Sequence, residues 1–293
     1  MAETIRFIIN PISGSGRGRQ LPPLIEQHLD RQRYKPEVCI TNARGHATQL
    51  AQEAIAQGIP YVVAVGGDGT VNEVARALAH SPTTLGIVPQ GSGNGFARHL
   101  GISPNKPLLA LETINRCNVQ HVDYGTLNGH PFFCTAGVGF DAEMGDRFVR
   151  LQKRGFVSYL RTVLQCYFGY KTEHYTIQLD NGHTIEREAF LITIANAAQW
   201  GYGIRIAPNA EVHDGLLEIT LAERFPLWRT PGMTLRLLCG RINSSRYVSN
   251  LRTRHIVINR TAHGVAHVDG EPFDMESRIE AQCHQQALRV LMP

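Results

Sequence analysis

The run Gly66-Gly67-Asp68-Gly69-Thr70-Val71-Asn72-Glu73 follows a continuous apolar segment, 61–65, and opens a stretch with helical spacing. Glycines allow a tight turn and let main-chain N–H groups approach a phosphate. A helix start adds unpaired N–H donors and partial positive charge. The Asp68 carboxylate would repel a bare phosphate. It suits Mg²⁺, an Mg²⁺-bound water or a hydroxyl losing its proton. A plain strand-to-helix turn, with Asp68 or Thr70 as helix cap, needs fewer glycines than this.

A second such turn is Gly91-Ser92-Gly93-Asn94-Gly95-Phe96-Ala97-Arg98, and a third is Asn10-Pro11-Ile12-Ser13-Gly14-Ser15-Gly16-Arg17-Gly18. Each follows an apolar run. Three glycine-rich turns at the carboxyl ends of parallel strands line one crevice, and polyphosphate binding is the chemistry they suit. None matches G-x-x-x-x-G-K-[ST], none gives a clean G-x-G-x-x-G, and neither H-R-D nor D-F-G follows. A P-loop enzyme, a dinucleotide dehydrogenase and a protein kinase are therefore not supported.

Further along, Asp269-Gly270-Glu271-Pro272 carries the Asp-Gly signal of a two-residue hairpin, which leaves Glu271 without a structural reason. Asp214-Gly215 reads as a turn within residues 207–218. Asp141 precedes a helical stretch and would serve as its N-cap. Thr41 ends a strand candidate, where a strand-end role and a ligand contact are equally open. Phe132, Phe133 and Phe140 read as core before acyl-channel lining.

The elements that must hold these residues follow from periodicity. Strands are expected at 6–10, 37–40, 61–65 and 85–88, alternating with helices at 21–33, 48–57, 71–79 and 94–100. That alternation is the pattern of a parallel sheet with right-handed crossovers. It changes near residue 118. Asn128-Gly129 and Asn181-Gly182 mark hairpins, 142–170 looks helical, and short strands follow at 190–195, 216–221, 255–259 and 288–291. One helix is expected at 226–239.

The 293 residues suffice for two ordinary domains, and 43% hydrophobic against 18% charged residues marks a folded globular chain. A net charge of +4 does not by itself imply nucleic-acid binding, and it permits weak attraction to an anionic membrane surface. The beginning of the chain reads as a first strand and not as a signal peptide. No apolar run reaches the roughly 18 residues of a membrane span. The six cysteines are scattered without a C-x-x-C pair, which fits a reducing cytosol and argues against zinc or a disulfide framework.

Taken together and in order, residues 10–14, 66–73, 91–98, 207–218 and 269–272 resemble the diacylglycerol kinase and sphingosine kinase superfamily, above all its soluble bacterial lipid kinases. The GGDGT turn alone is shared with NAD kinases and loosely with phosphofructokinases; the set of five is far more specific. The resemblance implies a Rossmann-like, phosphofructokinase-like α/β domain with a parallel sheet at 1–120 and an antiparallel β-sandwich lipid-substrate domain at 121–293, with the active site in the interdomain cleft. It implies transfer of the γ-phosphate of ATP, with Mg²⁺, to a lipid hydroxyl. Nucleotide contacts would come from Asn10, Pro11, Ile12, Ser13, Gly14, Thr41, Gly66, Gly67, Asp68, Gly69, Thr70, Val71, Asn72, Glu73 and Ser92. Glu271 would be the general base, with Asp68 the alternative and Asp269 supporting Mg²⁺ or orienting the carboxylate. Asp214, with the carbonyls of Glu211 and Leu216, would hold a structural Mg²⁺. Asp141 would bind the lipid headgroup.

One departure bears on the acceptor. The diacylglycerol-type pattern reads G-T-x-N-D-F-A-R at the second phosphate turn, whereas here Ser92 replaces the Thr and Gly95 the Asp. The Gly-Ser-Gly-Asn form is nearer to sphingosine-type members. Diacylglycerol or a related glycerolipid, giving a phosphatidic-acid-type product for phospholipid synthesis, is the leading expectation. A sphingoid base is the alternative, ahead of an NAD-kinase-like soluble acceptor or a silent nucleotide- or lipid-binding regulator. The expected partners are ATP and a lipid met at the membrane surface, with no nucleic acid; a homodimer is compatible. The expected location is the cytoplasm with transient membrane visits. Arg17, Arg19 and Arg98 lie near the phosphate turns. Lys153, Arg154 and Arg161, among Phe148, Phe156 and Tyr159, could face an anionic surface or simply solvent.

Overall fold

The computed structural model describes residues 2–143, 167–201 and 203–293. The chain forms two compact units, one of Met1–Asp123, Gly201–Gly203 and Gln285–Pro293, the other of Tyr124–Trp200 and Ile204–His284. Among the described residues no helix is long and apolar enough to cross a membrane.

The first unit runs β1 (Glu3–Ile9), α1 (Leu21–His28), β2 (Tyr34–Ile40), α2 (His46–Ala56), β3 (Tyr61–Gly66), α3 (Asp68–Leu78), β4 (Thr84–Pro89), α4 (Gly95–His99) and α5 (Pro107–Arg116). A 3₁₀ helix, Ser13–Gln20, joins β1 to α1. The strands pair in parallel in the order β2-β1-β3-β4. Their apolar runs are buried throughout β3 and β4 and most of β1, as strands covered on both faces must be. Helix α2 packs on α3, and α1 on α5. Ala47, Leu50, Ala51 and Ala54 form the buried stripe of α2, and Val71, Val74, Ala75 and Leu78 that of α3.

Strand order reverses at β1, which has β2 on one side and β3 on the other. The carboxyl ends of β1 and β3 therefore flank a topological switch point, where open α/β sheets bind ligands.

Three local differences from the sequence reading have physical causes. Helix α1 stops at His28 because Leu29 turns extended, at ψ 137°, to feed β2. Helix α3 begins at Asp68, so the glycine-rich turn already contains its first turn. Helix α5 was not anticipated, although Pro107 at its first turn and buried Ala110, Leu111 and Ile114 mark it.

The second unit is antiparallel. The chain enters it within β5 (Val119–Leu127) and continues through β6 (His130–Phe132), β7 (Thr135–Gly139), β8 (Glu173–Leu179), β9 (Thr184–Ala189), β10 (Leu191–Ala195), β11 (Gln199–Gly201), β12 (Ile204–Arg205) and β13 (Leu217–Ala222). Helix α6 (Thr230–Leu238) comes next, then β14 (Val248–Thr253), β15 (His255–Arg260), β16 (Gly264–Val268), β17 (Glu271–Met275) and β18 (Arg278–Leu291). One sheet runs β14-β13-β10-β7-β16-β17; the other contains β18-β15-β8-β9, with the β5–β6 hairpin joined through β18. Ala136, Val138, Ile192, Ile194, Leu217 and Ile219 of the first sheet share one core with Tyr175, Ile177, Ile256, Ile258, Ile279 and Ala281 of the second. That is a β-sandwich. The Asn128-Gly129 hairpin forms as the sequence indicates, with φ of 44° and 82°. Of the expected 142–170 helix, residues 140–143 and 167–169 are helical. The rest, with Lys153, Arg154, Arg161, Phe148, Phe156 and Tyr159, lies outside the described residues.

Candidate active site

In the first unit the three glycine-rich turns interlock. Asn10 leaves β1 and ties two of them together. Its Nδ2 donates to Thr70 Oγ1 at 3.2 Å, and its Oδ1 accepts the Ile12 N–H at 3.2 Å. Its carbonyl accepts from the Ser13 hydroxyl at 2.9 Å. Thr70 sits over Gly66, where an added Cβ would lie 2.5 Å from its Oγ1. A Cβ on Gly91 would lie 2.6 Å from the Cα of Gly67. The two backbones touch there, so only glycine fits.

Asp68 closes the arrangement. Its Oδ2 accepts the N–H of Asn94 and its Oδ1 that of Gly95, both at 2.7 Å. It caps α4, a helix from another part of the chain, although it stands in the first turn of α3. Asn94 takes a left-handed conformation, φ 51°, and its Oδ1 accepts the Gly91 N–H.

The turns enclose a pocket of about 360 Å³ lined by Asn10, Ser13, Gly14, Gly67, Gly69, Thr70, Gly91 and Ser92. It lies beyond the carboxyl ends of β1, β3 and β4, at the switch point. Gly91→Ala should place a methyl group against Gly67. We expect a loss of about 1–3 kcal/mol from overpacking and no thermal stabilisation by ATP, read from melting curves with and without nucleotide.

Seven of the anticipated nucleotide residues thus line the pocket: Asn10, Ser13, Gly14, Gly67, Gly69, Thr70 and Ser92. The others have different positions. Ile12 is 77% exposed. Pro11 is half-buried beside it. Val71 and Asn72 are buried in α3, and Gly66 lies beneath Thr70. Thr41 is buried, its N–H donating to the Ile9 carbonyl at 2.9 Å and its hydroxyl turned the same way. Glu73 has a structural role that the sequence reading did not include. Its carboxylate accepts from Gly45 N–H at 2.9 Å and Ala47 N–H at 3.2 Å, capping α2.

In the second unit, Asp269 and Gly270 form a two-residue turn with φ of 49° and 81°, and Val268 pairs with Glu271 across it. This is the type I′ geometry that Asp-Gly predicts. The Asp269 carboxylate accepts the N–H groups of Phe133 at 2.8 Å, Cys134 at 2.8 Å and Thr135 at 3.0 Å. Burial pushes its pKa up to about 6, while these three N–H donors and His267 pull it down. Asp269 is therefore a clamp that fixes the turn onto the β6–β7 bend, an arrangement that suits a role in orienting Glu271. Glu271, half-buried, is the first residue beyond the clamped turn.

Asp141 lies among partners the sequence did not announce. Its Oδ2 pairs with His267 Nε2 at 3.0 Å and accepts from Thr193 Oγ1 at 3.3 Å. The side chains of His267 and Asp141 are nearly buried, at 7% and 12% exposure. A Cβ on Gly137 would lie 2.9 Å from His267 Nε2 and 3.0 Å from Asp141 Oδ2, so a glycine is needed beneath the pair. His267 Nδ1 is buried and has no hydrogen-bond partner among the described residues. The only sequence clue to His267 was strand alternation, which puts it on the same side as Asp269.

In the proposed cation loop the Asp214 carboxylate has two protein partners. Asp214 Oδ1 accepts the Leu216 N–H at 3.0 Å, and Oδ2 pairs with the Arg252 guanidinium. Glu211 is exposed and makes no recorded bond to Asp214. Among the described residues no cluster of three or more His, Cys, Asp or Glu could hold a metal ion. A site of one carboxylate and the carbonyls of Glu211 and Leu216 needs no such cluster, and Mg²⁺ at Glu211, Asp214 and Leu216 remains a proposal.

Comparison with known proteins places this geometry. Residues 4–127 match the diacylglycerol kinase catalytic domain, and residues 134–292 match the YegS C-terminal NAD kinase β-sandwich-like domain. A protein named "Diacylglycerol kinase" from Bacillus subtilis is 27% identical over 91% of this chain and 89% of its own length. A "Probable lipid kinase YegS-like" protein from Chromohalobacter salexigens is 31% identical over 88% of this chain and 85% of its own. A crystal structure of a diacylglycerol kinase from Bacillus anthracis shares the fold with a TM-score of 0.74, over 99% of this chain and 97% of its own, at 21% identity. The chain belongs to the diacylglycerol kinase catalytic-domain family of lipid kinases.

Proposed function

We propose that the protein transfers the γ-phosphoryl group of Mg-ATP to the hydroxyl of a neutral glycerolipid, with diacylglycerol as acceptor and phosphatidic acid as product. The observation that carries this reading is the pocket of converging backbone turns at the sheet's switch point. Its glycines and small side chains let phosphate oxygens come close to the main chain, which suits a polyphosphate. Asp68 positions two of the turns. Each of its oxygens keeps a second lone pair, able to accept from an Mg²⁺-bound water.

Phosphoryl transfer is mostly positioning and charge neutralisation. As the acceptor oxygen bonds to the γ-phosphorus, the bond to the β–γ bridging oxygen breaks and ADP leaves. The acceptor's proton must go to a base, and Glu271 takes it in this reading. Asp269 holds the turn from which Glu271 projects.

Asp141 supports the glycerolipid reading. A sphingoid base carries an ammonium group, which is met best by a carboxylate with few other donors. Asp141 already has His267 and Thr193 on one oxygen and the Ala142 N–H on the other, at 2.9 Å. With Nε2–H donated to Asp141, His267 Nδ1 is an acceptor suited to a neutral hydroxyl. Diacylglycerol and sphingosine presented at equal mole fraction in mixed micelles test this. We expect transfer to diacylglycerol in clear excess. Transfer mainly to sphingosine would overturn the acceptor assignment and leave the kinase chemistry intact.

A further inference from the structure

Helix α6 and the turn before it present an unusual outer face. The helix is held to its unit by Met233, which is buried, and by Leu237, which packs against Ala195, Ile206, Ala207 and Ala210. These two side chains are four residues apart and account for its inner stripe. The outer side is also apolar. Leu235 is 63% and Leu238 54% exposed, and Trp228, in the preceding 3₁₀ turn, is 77% exposed. A helix that faces only water carries polar residues there.

The charge around this face has one sign. From Arg224 to Asn250 the chain holds five arginines, at 224, 229, 236, 241 and 246, and no Asp, Glu or Lys. All five are exposed. Outward Trp and Leu side chains among cations, on a segment without acidic residues, are the chemistry of an interfacial element. The apolar groups enter the headgroup boundary, Trp favours that boundary, and guanidinium groups pair with phosphates. A typical protein partner of mixed charge would leave five arginines unmatched.

We propose that Trp228, Leu235 and Leu238, with Arg229, Arg236 and Arg241, form a docking surface for an anionic phospholipid bilayer. This goes beyond the lipid-kinase reading and is compatible with it, since a lipid acceptor resides in such a bilayer. Its test needs no turnover.

The experiment is co-sedimentation with vesicles of phosphatidylcholine alone or of phosphatidylcholine with phosphatidylglycerol, without nucleotide. The protein should bind the anionic vesicles, bind the neutral ones weakly, and release as salt screens the attraction. Each arginine near the surface is worth about fivefold in affinity. The double variant Arg236→Gln, Arg241→Gln should therefore bind about 25-fold more weakly. The triple variant Trp228→Ala, Leu235→Ser, Leu238→Ser should no longer bind, and the parent's Trp228 fluorescence should shift to the blue on binding. Melting curves matching the parent's establish that the variants are folded. No binding by the parent, or equal binding by parent and both variants, would overturn the proposal. Capture of a protein partner through this face without vesicle binding would overturn it as well. Phosphoryl transfer to a short-chain acceptor in detergent micelles, measured in parallel, keeps the two readings apart. Vesicle binding without transfer counts against the kinase reading alone.

Discussion

Glu271→Gln is expected to leave the fold and nucleotide binding intact and to lower kcat by about 10²–10⁴-fold. The amide is nearly isosteric with the carboxylate, and the backbone at this position does not depend on the side chain. The turn is made by Asp269 and Gly270, both at positive φ, and is anchored by three N–H bonds to Asp269. What disappears is a group that can take the acceptor's proton. The effect should fall on kcat with little change in KM for ATP. Near-parental turnover in a folded variant would remove Glu271 from the mechanism and leave Asp68 as the remaining carboxylate.

Asp68→Ala is expected to act differently, because the structure gives this residue a mechanical task. Its carboxylate accepts the N–H groups of Asn94 and Gly95 at 2.7 Å. Removing it leaves two donors of the second turn without their charged acceptor, at a cost of about 2–4 kcal/mol. The Gly67–Gly91 contact beside it should loosen, and the pocket it shapes should open. The variant should therefore unfold at lower urea, lose most stabilisation by ATP and show a raised KM for ATP as well as a reduced kcat. A variant with parental stability and parental ATP binding but little turnover would mean that Asp68 acts on the reacting groups and not on the turns.

Much of the fold was legible because it rests on local signals. The buried runs of β3 and β4, the glycine turns, and the Asn128-Gly129 and Asp269-Gly270 hairpins each follow from a few adjacent residues. Helix α5 was equally local, and its proline start was overlooked. The site was less legible because its decisive bonds join residues far apart in sequence. Asp68 and Glu73 look like groups for ligand or metal within their own turn. They also cap α4 and α2, across 26–28 residues of chain. Gly67 and Gly91 suggest phosphate contact. Their mutual approach, invisible in either motif, is an independent reason for both glycines. The Asp141–His267 pair spans 126 residues. In the cation loop, Arg252, on β14, reaches Asp214 from another strand, which the loop's own residues do not announce.

The measurement that tests the central claim most directly is transfer of labelled γ-phosphate from Mg-ATP to diacylglycerol in mixed micelles, run with the parent protein and with Glu271→Gln. The account predicts labelled phosphatidic acid from the parent and almost none from the variant. Lipid left unlabelled while ATP is bound, label appearing only on a soluble acceptor such as NAD, or equal labelling by parent and variant would contradict it.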